Sequence, residues 1–180
     1  MRSYEERAKD FIKQVFPYIS SCQKPWEISR RIEMFNEDFD RKVVVSSGLS
    51  RIALITSDYV VKFDYNPDEV ACIGGCDNEV ELYNLAEREG FAYLFAKITM
   101  FVYRGRYFYI MPRIRGIGSS WHYAEYHMTI EERAFCRRHR ITDLHEENYG
   151  FRKGHVCVID YACHDSCDSD YDCYFANRIS

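Results

Sequence analysis

Between Ser3 and Ser20, the apolar residues Tyr4, Ala8, Phe11, Ile12, Val15, Phe16 and Ile19 recur every three or four positions, with charged residues between them. That period predicts an amphipathic helix, ended by Pro17 or by the Ser20-Ser21 turn. Such a stripe more often packs into a core than receives a partner, and it is expected to brace the strands that follow. Residues 25–40 carry Trp26, Ile28, Ile32, Met34, Phe35 and Phe39 and complete a helical extension over residues 1–40.

Beyond residue 40 the pattern becomes that of short strands. Val43-Val44-Val45, Arg51 to Thr56 and Tyr59 to Asp64 read as a three-stranded meander, the last two strands joined at Ser57-Asp58. Gly48, within Ser46 to Ser50, supplies the first turn. Asp77 to Ala86 is rich in helix formers, with Val80, Tyr83 and Ala86 as an apolar stripe and Leu82 and Leu85 beside it. Lys97 to Tyr103 and Arg106 to Met111 predict a hairpin around Arg104-Gly105, which completes a five-stranded sheet. Met111 to Gly116, with its Pro and Gly, reads as a linker. Thr129-Ile130-Glu131-Glu132 is a capping box opening a helix to about His139, and Phe151 to Val156 forms a further hairpin. The expected fold class is α+β, with no internal repeat and no low-complexity linker.

Polar residues at the ends of these elements carry the candidate chemistry. Asn148 lies five positions after Asp143, and Asp160 twelve after Asn148, at the end of the strand Val156-Cys157-Val158-Ile159. Phosphoryl transfer needs a group that orients the attacking hydroxyl and oxygen ligands for Mg²⁺ on a triphosphate. Asp143 fits the first role, and Asn148 with Asp160 the second. Val60-Val61-Lys62-Phe63 places one Lys in an apolar strand; a Lys so placed often only reaches solvent from a half-buried strand.

Asp143-Leu144-His145-x-x-Asn148, followed by a hydrophobic strand ending in Ile159-Asp160, resembles the active-site segment of the protein-kinase-like superfamily. It looks most like the aminoglycoside-phosphotransferase-type and phage-encoded branches. Ordinary protein kinases carry His-Arg-Asp and Asp-Phe-Gly where this chain has Ile141-Thr142-Asp143 and Asp160-Tyr161-Ala162. The resemblance implies a two-lobed fold binding ATP and Mg²⁺. Lys62 would contact the phosphates, and Gly48 and Ser50, with Ser47 nearby, would belong to a shortened nucleotide loop. Glu79 and Glu81 are both available to hold Lys62, and the apolar residues three and four positions after Glu79 match the family's helix better. The linker from Met111 would meet the adenine through backbone groups.

On this resemblance residues 1–180 form a single domain. Residues 1–40 are the helical extension, 41–112 an N-terminal lobe with a five-stranded antiparallel sheet and a Glu-bearing helix, 113–165 a reduced C-terminal lobe, and 166–180 an acidic, Cys-containing tail. Only twenty residues follow Asp160, too few for the helices with which kinases hold a peptide.

A chain of 180 residues can bury one substantial core. A net charge of −4 and a pI near 5.9 give no electrostatic footprint for nucleic acid or an acidic membrane. Arg30-Arg31 and Arg137-Arg138-His139-Arg140 sit beside acidic residues and read as solvated helix faces. No apolar run approaches a membrane span, and the first residues lack the apolar core of a signal peptide, so a cytoplasmic protein with reduced thiols is expected. Cys163, His164, Cys167 and Cys173 form a rival, zinc-like cluster whose spacing matches no regular zinc pattern.

Three functions are expected from these readings. The first is an ATP- and Mg²⁺-dependent phosphotransferase acting on a Ser or Thr hydroxyl of a protein. The second is a pseudokinase-like module that binds and regulates a partner protein; the third, below both, is a small metal-binding protein built on the cysteine tail. The resemblance to minimal kinases of phages and pathogens implies a host protein as partner and the host cytoplasm as location.

Overall fold

The computed structural model describes residues 2–48, 50–65, 75–115, 123–142 and 144–161. Among them are four α-helices: α1 (Tyr4–Ile19), α2 (Pro25–Phe39), α3 (Cys76–Glu89) and α4 (Ile130–Arg138). Strands β1 (Val44–Ser47), β2 (Arg51–Ile55), β3 (Tyr59–Asp64), β4 (Thr99–Tyr103) and β5 (Arg106–Pro112) form one antiparallel sheet in the order β1-β2-β3-β5-β4. Strands β6 (Tyr149–Arg152) and β7 (His155–Val158) form a separate antiparallel hairpin. The fold is α+β.

Side-chain alternation gives the sheet two buried faces. Ile52, Leu54, Val61, Phe63, Phe108 and Ile110 pack against Ala8, Phe11, Ile12 and Val15 of α1 and Ile28, Ile32 and Phe35 of α2. Each fully buried aliphatic or aromatic side chain contributes roughly 1.5–3 kcal/mol, so this layer is a major stabilising element. Asn36 of α2 completes it: its carboxamide accepts from the Val43 amide and donates to the Val43 carbonyl, both at 2.9 Å. Asn36 thereby satisfies both backbone groups where the chain enters the sheet.

The opposite face carries Tyr109 and Met111 into a second core with Cys76, Leu82 and Ala86 of α3, Leu94 to Ala96, and Val156 to Val158 of β7. The N-terminus of α3 is fastened to this face twice. Asp64 accepts from the Cys76 amide at 3.2 Å, placing a carboxylate where the helix dipole is positive, and Tyr109 donates to Asp77 at 2.6 Å.

Several element boundaries refine the sequence reading. The first helix ends at the Ser20-Ser21 turn, one of its two expected ends, so Pro17 lies inside α1, which continues to a buried Ile19. The packing of Ile19 against the core keeps the last turn helical across the missing proline donor. Strand β1 begins at Val44 and takes in Ser46 and Ser47, so the turn before β2 is shorter than expected. The buried line of α3 runs through Cys76, Glu79, Leu82 and Ala86, while Val80, Tyr83 and Leu85 are its half-buried flanks. Strand β5 extends to Pro112 because the ladder continues through the Tyr59–Pro112 register, and Arg113 then donates to the Asp58 carbonyl at 2.9 Å. Met111 is therefore a buried strand residue opposite Val60, and the predicted linker starts after it.

The hairpin β6–β7 turns at Lys153-Gly154, both at positive φ, as two-residue hairpin turns require. Gly150 on β6 lies so close to the chain after β5 that a Cβ there would meet the Arg115 carbonyl oxygen at 2.2 Å. This contact, with the Ala96 amide donating to the Val158 carbonyl at 2.8 Å, fixes the hairpin against the rest of the protein.

Candidate functional site

The candidate site forms where β2, β3, α3 and the chain after β7 meet. Register sets Ala53 opposite Lys62 and Lys62 opposite Tyr109, so Lys62 projects from the centre of the sheet toward α3. Its ammonium donates to Glu79 Oε1 at 2.7 Å and to the Ile159 carbonyl at 2.9 Å, and lies 3.8 Å from Asp160 Oδ1. Glu79 is fully buried and Lys62 nearly so. Glu81 lies on the exposed side of α3, so the two candidate carboxylates occupy opposite environments.

A second cation shares the cluster. Arg51, two residues before Ala53 on β2, points to the same face as Lys62 and places Nη1 2.9 Å from Asp160 Oδ1 and 3.6 Å from Glu79 Oε1. Two basic and two acidic side chains therefore meet within one partly enclosed volume. The Asp160 side chain remains 35% exposed, whereas that of Arg51 is 14% exposed.

These environments shift the titrations in opposite directions. Burial pushes the Glu79 carboxyl up to about 7, outweighing the pull of Lys62 and Arg51. Its Oε2 is buried without a hydrogen-bond partner among the described residues, so the ionised form lacks full compensation. For Asp160, burial is outweighed by Lys62 and Arg51, which hold it below the usual carboxylate range. Burial opposes the charge on Lys62, but Asp160 and Glu79 together keep its pKa above that of an ordinary lysine.

Tyr161 closes the inner side. Its amide donates to Glu79 Oε1 at 3.3 Å, its hydroxyl to the Ala96 carbonyl at 2.7 Å, and its ring packs edge-on against Phe95. Asn148 is nearly buried, and its carbonyl accepts from the Ile159 amide at 2.8 Å, which sets it beside the segment bearing Asp160. The Asn148 carboxamide lies 3.1 Å from His145 Nε2, and His145 Nδ1 accepts from the Glu147 amide at 3.3 Å. His145 thus orients Asn148 from the start of the short turn that carries it.

Asp143 lies outside the described residues. Its neighbours Ile141 and Leu144 are buried, and the Leu144 carbonyl accepts from the Ala124 amide at 2.9 Å. Gly48 donates its amide to the Arg51 carbonyl at 2.9 Å, which closes the turn on itself. The nucleotide loop implied by resemblance is therefore a tight turn with the Gly48 donor already engaged. Ser50 is buried, and its hydroxyl has no partner among the described residues.

The structure brings Lys62, Glu79 and Asp160 together, with Asn148 adjacent, and leaves Met111 in the sheet. Sequence reasoning missed Arg51 and Tyr161 as site residues. The signal for Arg51 was its even spacing from Ala53, which places it on the lysine face of β2.

Cys163, His164, Cys167 and Cys173 of the zinc-like cluster lie outside the described residues. No group of three or more His, Cys, Asp or Glu suited to a metal occurs among the described residues. Burial pushes the Cys157 thiol up to about 11, away from reactive thiolate chemistry. Within the second basic cluster, Arg138 and His139 pair with Glu89 of α3. Among the described residues no helix is long and apolar enough to cross a membrane. Compared with known proteins, the chain matches no family model and no curated protein.

Proposed function

We propose that this chain is a protein-kinase-like domain that binds ATP with Mg²⁺ and transfers the γ-phosphate to a Ser or Thr hydroxyl of a protein. The observation that carries this reading is the buried Lys62–Glu79 pair, 2.7 Å long, drawn from a central strand and a helix and joined to Asp160. A buried ion pair costs desolvation that a hydrophobic pair would avoid, so its presence beside a part-exposed carboxylate favours a functional role. On this reading the sheet with α3 forms the N-terminal lobe, and α4 with the β6–β7 hairpin the reduced C-terminal lobe.

The donor set fits Mg²⁺ brought in on a nucleotide. Asp160 offers a part-exposed carboxylate, the Asn148 side chain would be the second protein ligand, and Mg²⁺ would take its remaining ligands from phosphates and water. When bound, the ion neutralises charge on the phosphates. Lys62 would hold the phosphate oxygens, and Glu79 fixes Lys62. Asp143 accepts the proton of the attacking hydroxyl.

Incubation of the purified protein with γ-labelled ATP, Mg²⁺ and a cell extract tests this. Label on protein with the natural chain and none with Asp143→Ala supports the transferase; no label with either contradicts it. The second reading, a binding module that regulates a host or other partner protein, is favoured by the contact of Arg51 with Asp160 and by the engaged Gly48 amide. It predicts that Asp143→Ala leaves both nucleotide binding and biological effect intact.

A further inference from the structure

Two features of the cluster concern the same deficit. A phosphate loop normally presents free backbone amides, but here the single Gly of the turn donates to Arg51's carbonyl. The carboxylate best placed to hold a metal, Asp160, already has a guanidinium nitrogen 2.9 Å from Oδ1. An ion bonded to that oxygen at the usual Mg²⁺ distance of about 2.1 Å could lie no more than about 5 Å from Arg51 Nη1. Two cations so close on one oxygen repel, so a divalent ion there competes with Arg51 for Asp160.

We infer that Arg51 holds the cation position on Asp160 and is itself a phosphate-binding residue, so that this site binds a nucleoside triphosphate without needing a divalent ion. The inference rests on the nucleotide reading proposed above. Guanidinium suits the task, because its planar fork offers several donors and stays charged throughout the physiological range. Arg51 holds Nη1 on Asp160, and with Lys62 it supplies two fixed positive charges. Its position one residue after Ser50 places it where the turn meets the cluster. A divalent ion then serves the transfer step, and binds Asp160 in competition with Arg51.

Calorimetric titration of the full chain with ATP, in Mg²⁺ and in EDTA, separates the possibilities. The natural chain is expected to bind in EDTA within about fivefold of its affinity in Mg²⁺. Arg51→Gln is expected to lose at least about tenfold in EDTA and recover most of it with Mg²⁺, with Arg51→Lys intermediate. Binding by the natural chain only in Mg²⁺, or an unchanged Mg²⁺-to-EDTA ratio in Arg51→Gln, overturns the inference while leaving the nucleotide reading intact. Absence of ATP binding by the natural chain under both conditions overturns both. Should Arg51→Gln fail to fold, judged by its melting curve, the natural chain's ratio alone decides.

Discussion

Arg51 on β2 and Lys62 on β3 approach the same two carboxylate oxygens: Glu79 Oε1 at 3.6 and 2.7 Å, and Asp160 Oδ1 at 2.9 and 3.8 Å. The two cations come from adjacent strands, and the two anions from a helix and from the chain after a separate hairpin. This convergence joins the sheet, α3 and the β6–β7 segment electrostatically, and any change to one member redistributes charge among the other three.

Removing Lys62 alone leaves Glu79 buried with only the more distant Arg51. Lys62→Ala is expected to destabilise the protein by roughly 3 kcal/mol in urea unfolding. The paired replacement Lys62→Met with Glu79→Leu removes both charges at similar volume, and Arg51 and Asp160 still neutralise each other. It is expected to lie within about 1 kcal/mol of the natural chain. A double variant as unstable as the single one would show that the pair is required for packing.

Acidity should expose Glu79 separately. Its carboxyl titrates at about 7 in the folded chain against an ordinary 4.5, so between those values the folded state binds more protons than the unfolded state. Unfolding free energy then falls as pH rises through this window. Asp160 acts in the opposite sense: Lys62 and Arg51 hold it below its ordinary 3.8, so its contribution is present above that value and lost as pH falls below it. Urea midpoints measured from pH 4.5 to 7 should decline in the natural chain, and Glu79→Gln should remove that part of the decline.

Gly150 tests how the β6–β7 hairpin is fixed. An added methyl would meet the Arg115 carbonyl oxygen at 2.2 Å and Ile114 Cγ2 at 2.8 Å, and the first of these is backbone that cannot rotate away. Gly150→Ala is expected to cost about 2–3 kcal/mol, read from the thermal midpoint. A neutral effect would mean that the hairpin and the segment after β5 separate easily.

Asn36 carries the entry into the sheet on two hydrogen bonds to Val43. Asn36→Ala leaves both backbone groups to find water at a part-buried position. Its expected cost is about 1–3 kcal/mol, measured by urea unfolding, with Asn36→Asp restoring only the bond from the Val43 amide.

Much of this arrangement was legible where local pattern and local chemistry agree. Glu79 could be preferred over Glu81 because the apolar residues three and four positions after it fit the expected helix pattern better, and Gly105 and Gly154 mark the two hairpin turns, Gly being the residue that takes positive φ at no steric cost. Three features were not fully legible for physical reasons. The choice between Pro17 and the Ser20-Ser21 turn as the end of α1 rests on the packing of Ile19, a tertiary effect that propensity does not contain. The ladder with β3 carries β5 through Pro112, although the Pro and Gly nearby read as a linker. Arg51 was read only as the first residue of a strand, and the return of the chain at Asp160 brings it into the cluster.

The central claim is that Lys62, Arg51, Glu79 and Asp160 form a nucleotide-phosphate site. Titration of the natural chain and Lys62→Met with ATP in Mg²⁺ tests it most directly, with both proteins first shown to be folded by their melting curves. Saturable one-to-one binding, weakened at least about tenfold in Lys62→Met, is the predicted result. No saturable binding by the natural chain, or equal affinity in the folded variant, would contradict it.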